Sequence, residues 1–463
     1  MNKGKSSGGV EMEGYVAWIL EGKPFTNPPT CPWPATARPL VIPQETIAQR
    51  GVDEAVHVCI AGLINSLLTP SKETGVVPGN LKAADLNSAR YSHLRSYRSW
   101  TVKADPTLNR KQGDYAWLDP IPKGLVDSFT GGDRGWCGFE VCSPALWAMD
   151  ESISEIRQVC QILTENLWVL TPDNTGLHVH YGNGPDWMPV ESVRRIAGLL
   201  YAADPILVQL QPQHRRNNIW CLSTSLYSAL ATGLSAETAE ERLGTALDAP
   251  LPLVEQEDVP WWWFVTSLFR KFFGRWVAGG RDRDKPDPDT RGLGRRGALG
   301  TYADNGRNFV SPDPELNVPS SPLAIPEAVR ELLKCRHPQV VAELMSTGNR
   351  RPAYSFSAYR DGRYGIVGNK RTVEFRQARG TFDADEVCAW ARVCFRLCEW
   401  ATAAELPEYW KLVLDCASAK ADGAWYDVFD LILADLGLLA EARVLKRIAY
   451  KRQGLEPKVS LSS

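Results

Sequence analysis

Gly9-Val10-Glu11-Met12-Glu13 has a strict two-residue period. In an extended chain residues i and i+2 point to the same side, so Glu11 and Glu13 share one face while Val10 and Met12 take the other. The pattern recurs in GLHVHYGN (176–183), where His178 and His180 oppose Leu177, Val179 and Tyr181. It recurs again in TVEFRQ (372–377), where Glu374 and Arg376 oppose Val373 and Phe375, and GFEVCSPAL (138–146) adds Glu140. Four segments, each apolar on one side and charged on the other, predict one sheet whose back packs on a core. A merely water-facing sheet would favour Thr, Lys and Ser over Glu-x-Glu and His-x-His. Repeated acids and imidazoles suit hard divalent cations, and an adjacent arginine suits phosphate. The set reads as the floor of a metal–nucleotide site.

Bulk composition permits this reading. The chain has 463 residues, 44% hydrophobic and 23% charged, within the range of globular enzymes. A formal net charge of −2 with no sustained basic face argues against nucleic acid as a partner. Eleven cysteines lack CxxC pairing, and Cys388, Cys394 and Cys398 fall in one apolar helical stretch, which predicts buried, reduced thiols. The opening MNKGKSSGG has no apolar signal stretch, and no run is long enough to span a bilayer, so a cytoplasmic protein is expected.

Along the chain, residues 1–8 read as a disordered tail, 9–234 and 326–447 as two parts of one catalytic domain, 235–325 as an insertion and 448–463 as a second tail. Strands are expected at about 9–20, over RSYRSWTVKADPTL with Asp105 at its end, and over GWCGFEVCSP. Helices are expected at 44–68, 150–167, 190–209 and 384–404, with a short one at 236–247 and a C-terminal pair at 424–447. Asp383 and Glu386 have capping-box spacing. YRDGRYGIV and KRTVEFRQ flank Gly368–Asn369, a two-residue hairpin turn. Within the insertion, Trp261–Val277 is aromatic and basic. It reads as a lid or packing segment in preference to a membrane-surface helix, and the Gly/Pro-rich charged run after it as a linker.

Taken in order, GVEME, Trp100 to Asp105, Glu140 to Pro144, GLHVH, His214 to Cys221 and Thr372 to Thr381 resemble the putative amidoligase family of the glutamine synthetase and glutamate–cysteine ligase superfamily. The resemblance covers residues 9–234 and 326–447. It implies an α+β, glutamine-synthetase-like catalytic fold, a curved, mostly antiparallel sheet with helices on its convex face. It implies ATP and two or three Mg²⁺ or Mn²⁺ ions on the concave face. The implied reaction is ATP-dependent amide formation between a small-molecule carboxylate, in that superfamily an amino acid, and an amine, through an acyl phosphate. On this resemblance Glu11, Glu13, Glu140, His178 and Glu374 are metal ligands, and His180 lies nearer nucleotide or substrate. Arg376 and Arg215 would meet the transferring phosphate or a substrate carboxylate. The amine must lose a proton, and Asp105 is the candidate to take it.

Three departures bear on the substrate. Ala378 stands where the family commonly has histidine, Gly14 where a large apolar residue is frequent, and Trp220 where tyrosine is usual. With regular alternation Thr372, Glu374, Arg376 and Ala378 would share the metal face. Plainer readings stand beside these. The histidine pair could bond only to backbone, and Glu374–Arg376 could be a surface ion pair. Ser143–Pro144 reads as a strand terminator, since no G-x-S-x-G elbow surrounds it. His57, His93 and His337 read as structural or surface residues. Two other classes fit the acidic floor: a metal-dependent phosphohydrolase, and a non-catalytic scaffold that keeps the fold.

Overall fold

Strand β1 (Ser7–Leu20) runs through the middle of the sheet and is buried along almost its whole length. The computed structural model describes residues 6–25, 31–69, 74–77, 92–105, 107–108, 131–216, 218–247, 322–348, 350–360, 370–419 and 426–452. Within them a nine-stranded, unclosed sheet takes the order β3-β4-β1-β7-β9-β8, and β2, β5 and β6 pair with further stretches of β1. Its strands are β2 (Leu40–Ile42), β3 (Thr101–Lys103), β4 (Arg134–Cys142), β5 (Leu146–Trp147), β6 (Val169–Leu170), β7 (Gly176–Gly182), β8 (Tyr354–Ser355) and β9 (Thr372–Arg379). Every pair is antiparallel except β1 with β2.

Helices cover one face. Here α1 is Gln44–Arg50, α2 Val52–Leu67, α3 Asp150–Asn166, α4 Val190–Leu207, α5 Gln213–Arg216, α6 Ile325–Lys334, α7 Ala384–Ala403, α8 Leu406–Ser418 and α9 Leu439–Arg452. Val10, Met12, Val179 and Phe375 point into a single apolar core that also takes residues of α3, α4 and α7. Both expected halves of the catalytic domain contribute to that core. So does the helix Ala236–Leu243, through Ala239 and Leu243. All eleven cysteines are free, nine of them buried. No helix among the described residues is long and apolar enough to cross a membrane.

Several local expectations need correction. The helix expected at 44–68 is two helices, because Gly51 adopts φ +79° and breaks the chain between them. RSYRSWTVK is a strand only over Thr101–Lys103, and Ser92–Tyr97 forms a 3₁₀ turn. Asp383 caps α7 by accepting from the Asp385 and Glu386 amides, but the reciprocal half of the box is missing. The Glu386 carboxylate is instead held by Arg379, Thr381 and Arg452. The C-terminal pair resolves into a short helix Val428–Asp430, a π turn Leu431–Asp435 and α9, and α8 precedes them. The Gly368–Asn369 turn, most of the 235–325 block including Trp261–Val277, and residues 1–5 and 453–463 lie outside the described residues.

The Gly14 departure has a packing reason. A Cβ there would come 2.4 Å from the Phe382 ring, which stacks on Phe139 with ring centroids 5.6 Å apart. Phe382 fills the space that a large residue at position 14 would occupy.

Candidate metal centre

Strand register assembles the site. Lys103 faces Glu140, Glu140 faces Glu13, Glu11 faces His178, and His180 faces Glu374, across five neighbouring strands. The direct Glu13–Glu140 pairing places like charges opposite each other, an arrangement that costs stability in an ordinary sheet. All five expected ligands converge. Glu11, His178 and Glu374 form one group of donor atoms within 4.8 Å of one another, and Glu13, Glu140 and His178 form another. A third, Glu11 with Glu140 and Cys142, brings in a thiol absent from the sequence reading.

His178 sits at the centre. Its Nδ1 lies 3.5 Å from Glu11 and 3.6 Å from Glu374, and its Nε2 lies 3.6 Å from Glu13. These gaps are long for hydrogen bonds. They approach the spacing of neighbouring ligands on an octahedral cation, about 3 Å when each donor lies about 2.1 Å from the ion. Burial, and after it the charge of Arg376, pushes His178 down to about 4, which leaves a neutral imidazole. Its Nδ1 is buried with no hydrogen-bond partner.

The carboxylates divide in character. Burial pushes Glu13 up to about 8, aided by the charges of Asp105 and Glu140. Burial and Glu11 push Glu140 up to about 7, although Lys103 lies 3.0 Å away. Burial acts the same way on Glu11, but Lys370 and His180 outweigh it and hold that carboxyl well below the usual range. Glu374 is likewise held down to about 2, because Arg376 and the two histidines overcome its burial. The Arg376 Nη1 donates to Glu374 at 2.5 Å. Crowded acids, an imidazole whose Nδ1 has no well-formed hydrogen bond and two carboxyls pushed toward protonation are the donor set that a divalent cation would satisfy.

Lysines missed in the sequence complete the rim. Lys370 bonds Glu11, lies 3.2 Å from His180 Nε2 and stands over the Tyr97 ring. Lys370 has the parity of Thr372 and Glu374, and Lys103 has the parity of Asp105, so alternation could have found both. His180 Nδ1 meets the Thr372 hydroxyl at 3.1 Å. Asp105 lies past the end of β3, accepts from Thr107 and adds to the negative field at Glu13 and Glu140. Arg215 is buried on α5, where its Nη2 donates to the Arg376 carbonyl at 2.7 Å and its Nε to that of Gln377 at 3.4 Å. It thus clamps the β9 backbone while its charge lies beside Glu13.

Ala378 does not join this face. The β7–β9 register shifts between Leu177 and Val179, so Leu177 pairs Ala378 while Val179 pairs Phe375. This bulge inserts one residue into β9 and reverses the alternation beyond it. Ala378 is buried against the helix layer with Leu177, Leu210 and Trp390. Arg379 pairs with Glu386.

Residues 59–241 match the family model described as a putative amidoligase enzyme. No curated protein and no solved structure matches the chain. The matched stretch carries Asp105, Glu140, His178, His180 and Arg215, and it agrees with the motif resemblance. It supports the family assignment and, through it, a ligase-type enzyme.

Proposed function

We propose that the protein is an ATP- and divalent-metal-dependent carboxylate–amine ligase on a glutamine-synthetase-like catalytic fold, acting in the cytoplasm. The observation that carries this reading is the convergence of Glu11, Glu13, Glu140, His178 and Glu374 on one buried sheet face, rimmed by Lys103, Lys370 and Arg376. Those five residues would hold Mg²⁺ or Mn²⁺, two or three ions shared among the overlapping groups. Bound cations would offset charge on the phosphate oxygens of ATP and align its γ-phosphate.

The chain's own groups supply the rest. Arg376 lies beside the acids, where its guanidinium can meet a phosphate oxygen. One oxygen of the acid's carboxylate attacks the γ-phosphorus, ADP leaves, and an acyl phosphate results. The amine nitrogen then attacks the acyl carbon and phosphate departs with that carboxylate oxygen. The proton lost by nitrogen passes to Asp105, at the Glu13–Glu140 end of the site. The test is phosphate release from Mg-ATP by the full chain, with and without a panel of amino acids and amines. Release that depends on both, and is lost in Glu374→Gln with the fold retained, supports the reading. Full release with no second substrate makes the protein a phosphohydrolase, and no binding of Mg-ATP at millimolar concentration makes it a scaffold.

A further inference from the structure

The metal face does not end at Glu11. Alternation carries it back along β1 through Gly9 to Ser7, and across the sheet to Thr372. The 3₁₀ turn Ser92–Tyr97 roofs this extension, giving a half-open cleft of about 60 Å³. Glu11, His180 and Lys370 form its wall toward the metal centre, and His93, Tyr97 and Arg371 line the cleft. Gly9 carries no side chain into it.

His93 is the informative residue. Only 5% of the residue is exposed, yet neither ring nitrogen has a hydrogen-bond partner among the described residues. A buried polar ring left in that state costs stability. Burial and the charge of Arg371 push it down to about 4, so the neutral ring offers one N–H and one lone pair. The Arg371 guanidinium lies over Trp187 and donates to the Pro185 carbonyl, which fixes its position. Leu94, Pro144 and Ala145 add apolar wall to the cleft. The cleft lining thus combines Lys370, His93 and Arg371 with apolar side chains, and the charge of Asp186 lies beside His93 and Arg371, a mixed lining suited to a short molecule with both charged and apolar parts.

We propose that this cleft seats the acid substrate, an amino acid whose reacting carboxylate lies at the Lys370–Glu11 end and whose remote carboxylate meets His93 and Arg371. This rests on the ligase reading for what the acid does, but not for where it binds. The arrangement puts the acid on the β1–3₁₀ side of the metals and leaves the Arg376 side to the nucleotide.

The test uses the full chain loaded with Mn²⁺ and a panel of L-amino acids that includes glutamate and aspartate, with binding followed by calorimetry and turnover by phosphate release. For the acid that binds, His93→Ala and His93→Gln should each weaken binding, and raise its KM, by tenfold or more. Mn²⁺ affinity and the KM for ATP should change less than twofold. A ring-nitrogen NMR shift of His93 on adding the acid gives a readout that needs no variant. Binding of the acid lost in both variants, without ATP turnover in the wild type, upholds the cleft and sinks the ligase reading. Turnover with unchanged acid KM in both variants does the reverse. Binding of no amino acid to the Mn²⁺-loaded wild type also overturns the assignment of the cleft.

Discussion

Glu13→Gln separates stability from metal binding, because the two should move in opposite directions. Glu13 is buried, its Oε2 accepts from the Gly176 amide at 2.7 Å, and its carboxyl is pushed from an ordinary 4.5 up to about 8. A carboxyl whose folded value exceeds its unfolded value adds stability below pH 4.5 and loses it as pH rises through 8. The loss by pH 7 spans 2.5 pH units from the ordinary 4.5, roughly 3 kcal/mol at 1.36 kcal/mol per unit. Glu140, pushed up to about 7, works in the same direction. Glu11 and Glu374 are held low, so their opposite effect falls below about pH 4.5. Glutamine keeps an acceptor for Gly176 and carries no charge to desolvate. His178 and His93, pushed down to about 4, oppose this up to about pH 6.5, so the clean window in EDTA is pH 6.5 to 8, where the urea midpoint of the wild type should fall and that of the variant should fall by markedly less. In Mn²⁺ titrations the variant should bind at least tenfold more weakly, about 1.4 kcal/mol or more. Equal Mn²⁺ affinity in the two proteins, or parallel pH profiles in EDTA, would refute the reasoning.

Lys370→Met leaves the Glu11 carboxylate buried without its nearest cation, and should destabilise the metal-free protein at pH 7 by about 3 kcal/mol, with Mn²⁺ restoring part of the loss. An unchanged urea midpoint in EDTA would show that the pair contributes nothing. Ala378→His forces a ring into the packed helix layer and should cost about 1–3 kcal/mol while substrate preference stays as in the wild type. A changed acceptor preference at full stability would place position 378 in the substrate pocket after all.

That last prediction reverses what alternation alone suggests, and the reason is physical. A period of two carries faces correctly along β1, β7 and the start of β9, which is why Glu11, Glu13, His178, His180 and Glu374 were legible. The bulge between Arg376 and Ala378 is set by pairing with β7, and no residue in TVEFRQAR announces it. Helix α8 did leave signals: Glu405 and Glu408 as a capping box, Pro407 in the first turn, and Tyr409, Leu412, Val413 and Cys416 at helical spacing. Lys370 and Lys103 were not singled out, because a single lysine carries no pattern until a strand assigns it a face. His93 gave no sign at all, since its meaning comes from burial beneath a 3₁₀ turn that propensity does not foresee.

The most direct measurement follows an oxygen atom. With the acid's carboxylate labelled in ¹⁸O, turnover with Mg-ATP and amine should release phosphate carrying one acid-derived ¹⁸O, read by mass spectrometry. That transfer is required if the carboxylate attacks the γ-phosphorus and phosphate leaves from carbon. Phosphate carrying solvent oxygen and none from the acid would mean that water, not the carboxylate, takes the phosphoryl group, and would contradict ligase chemistry at this site.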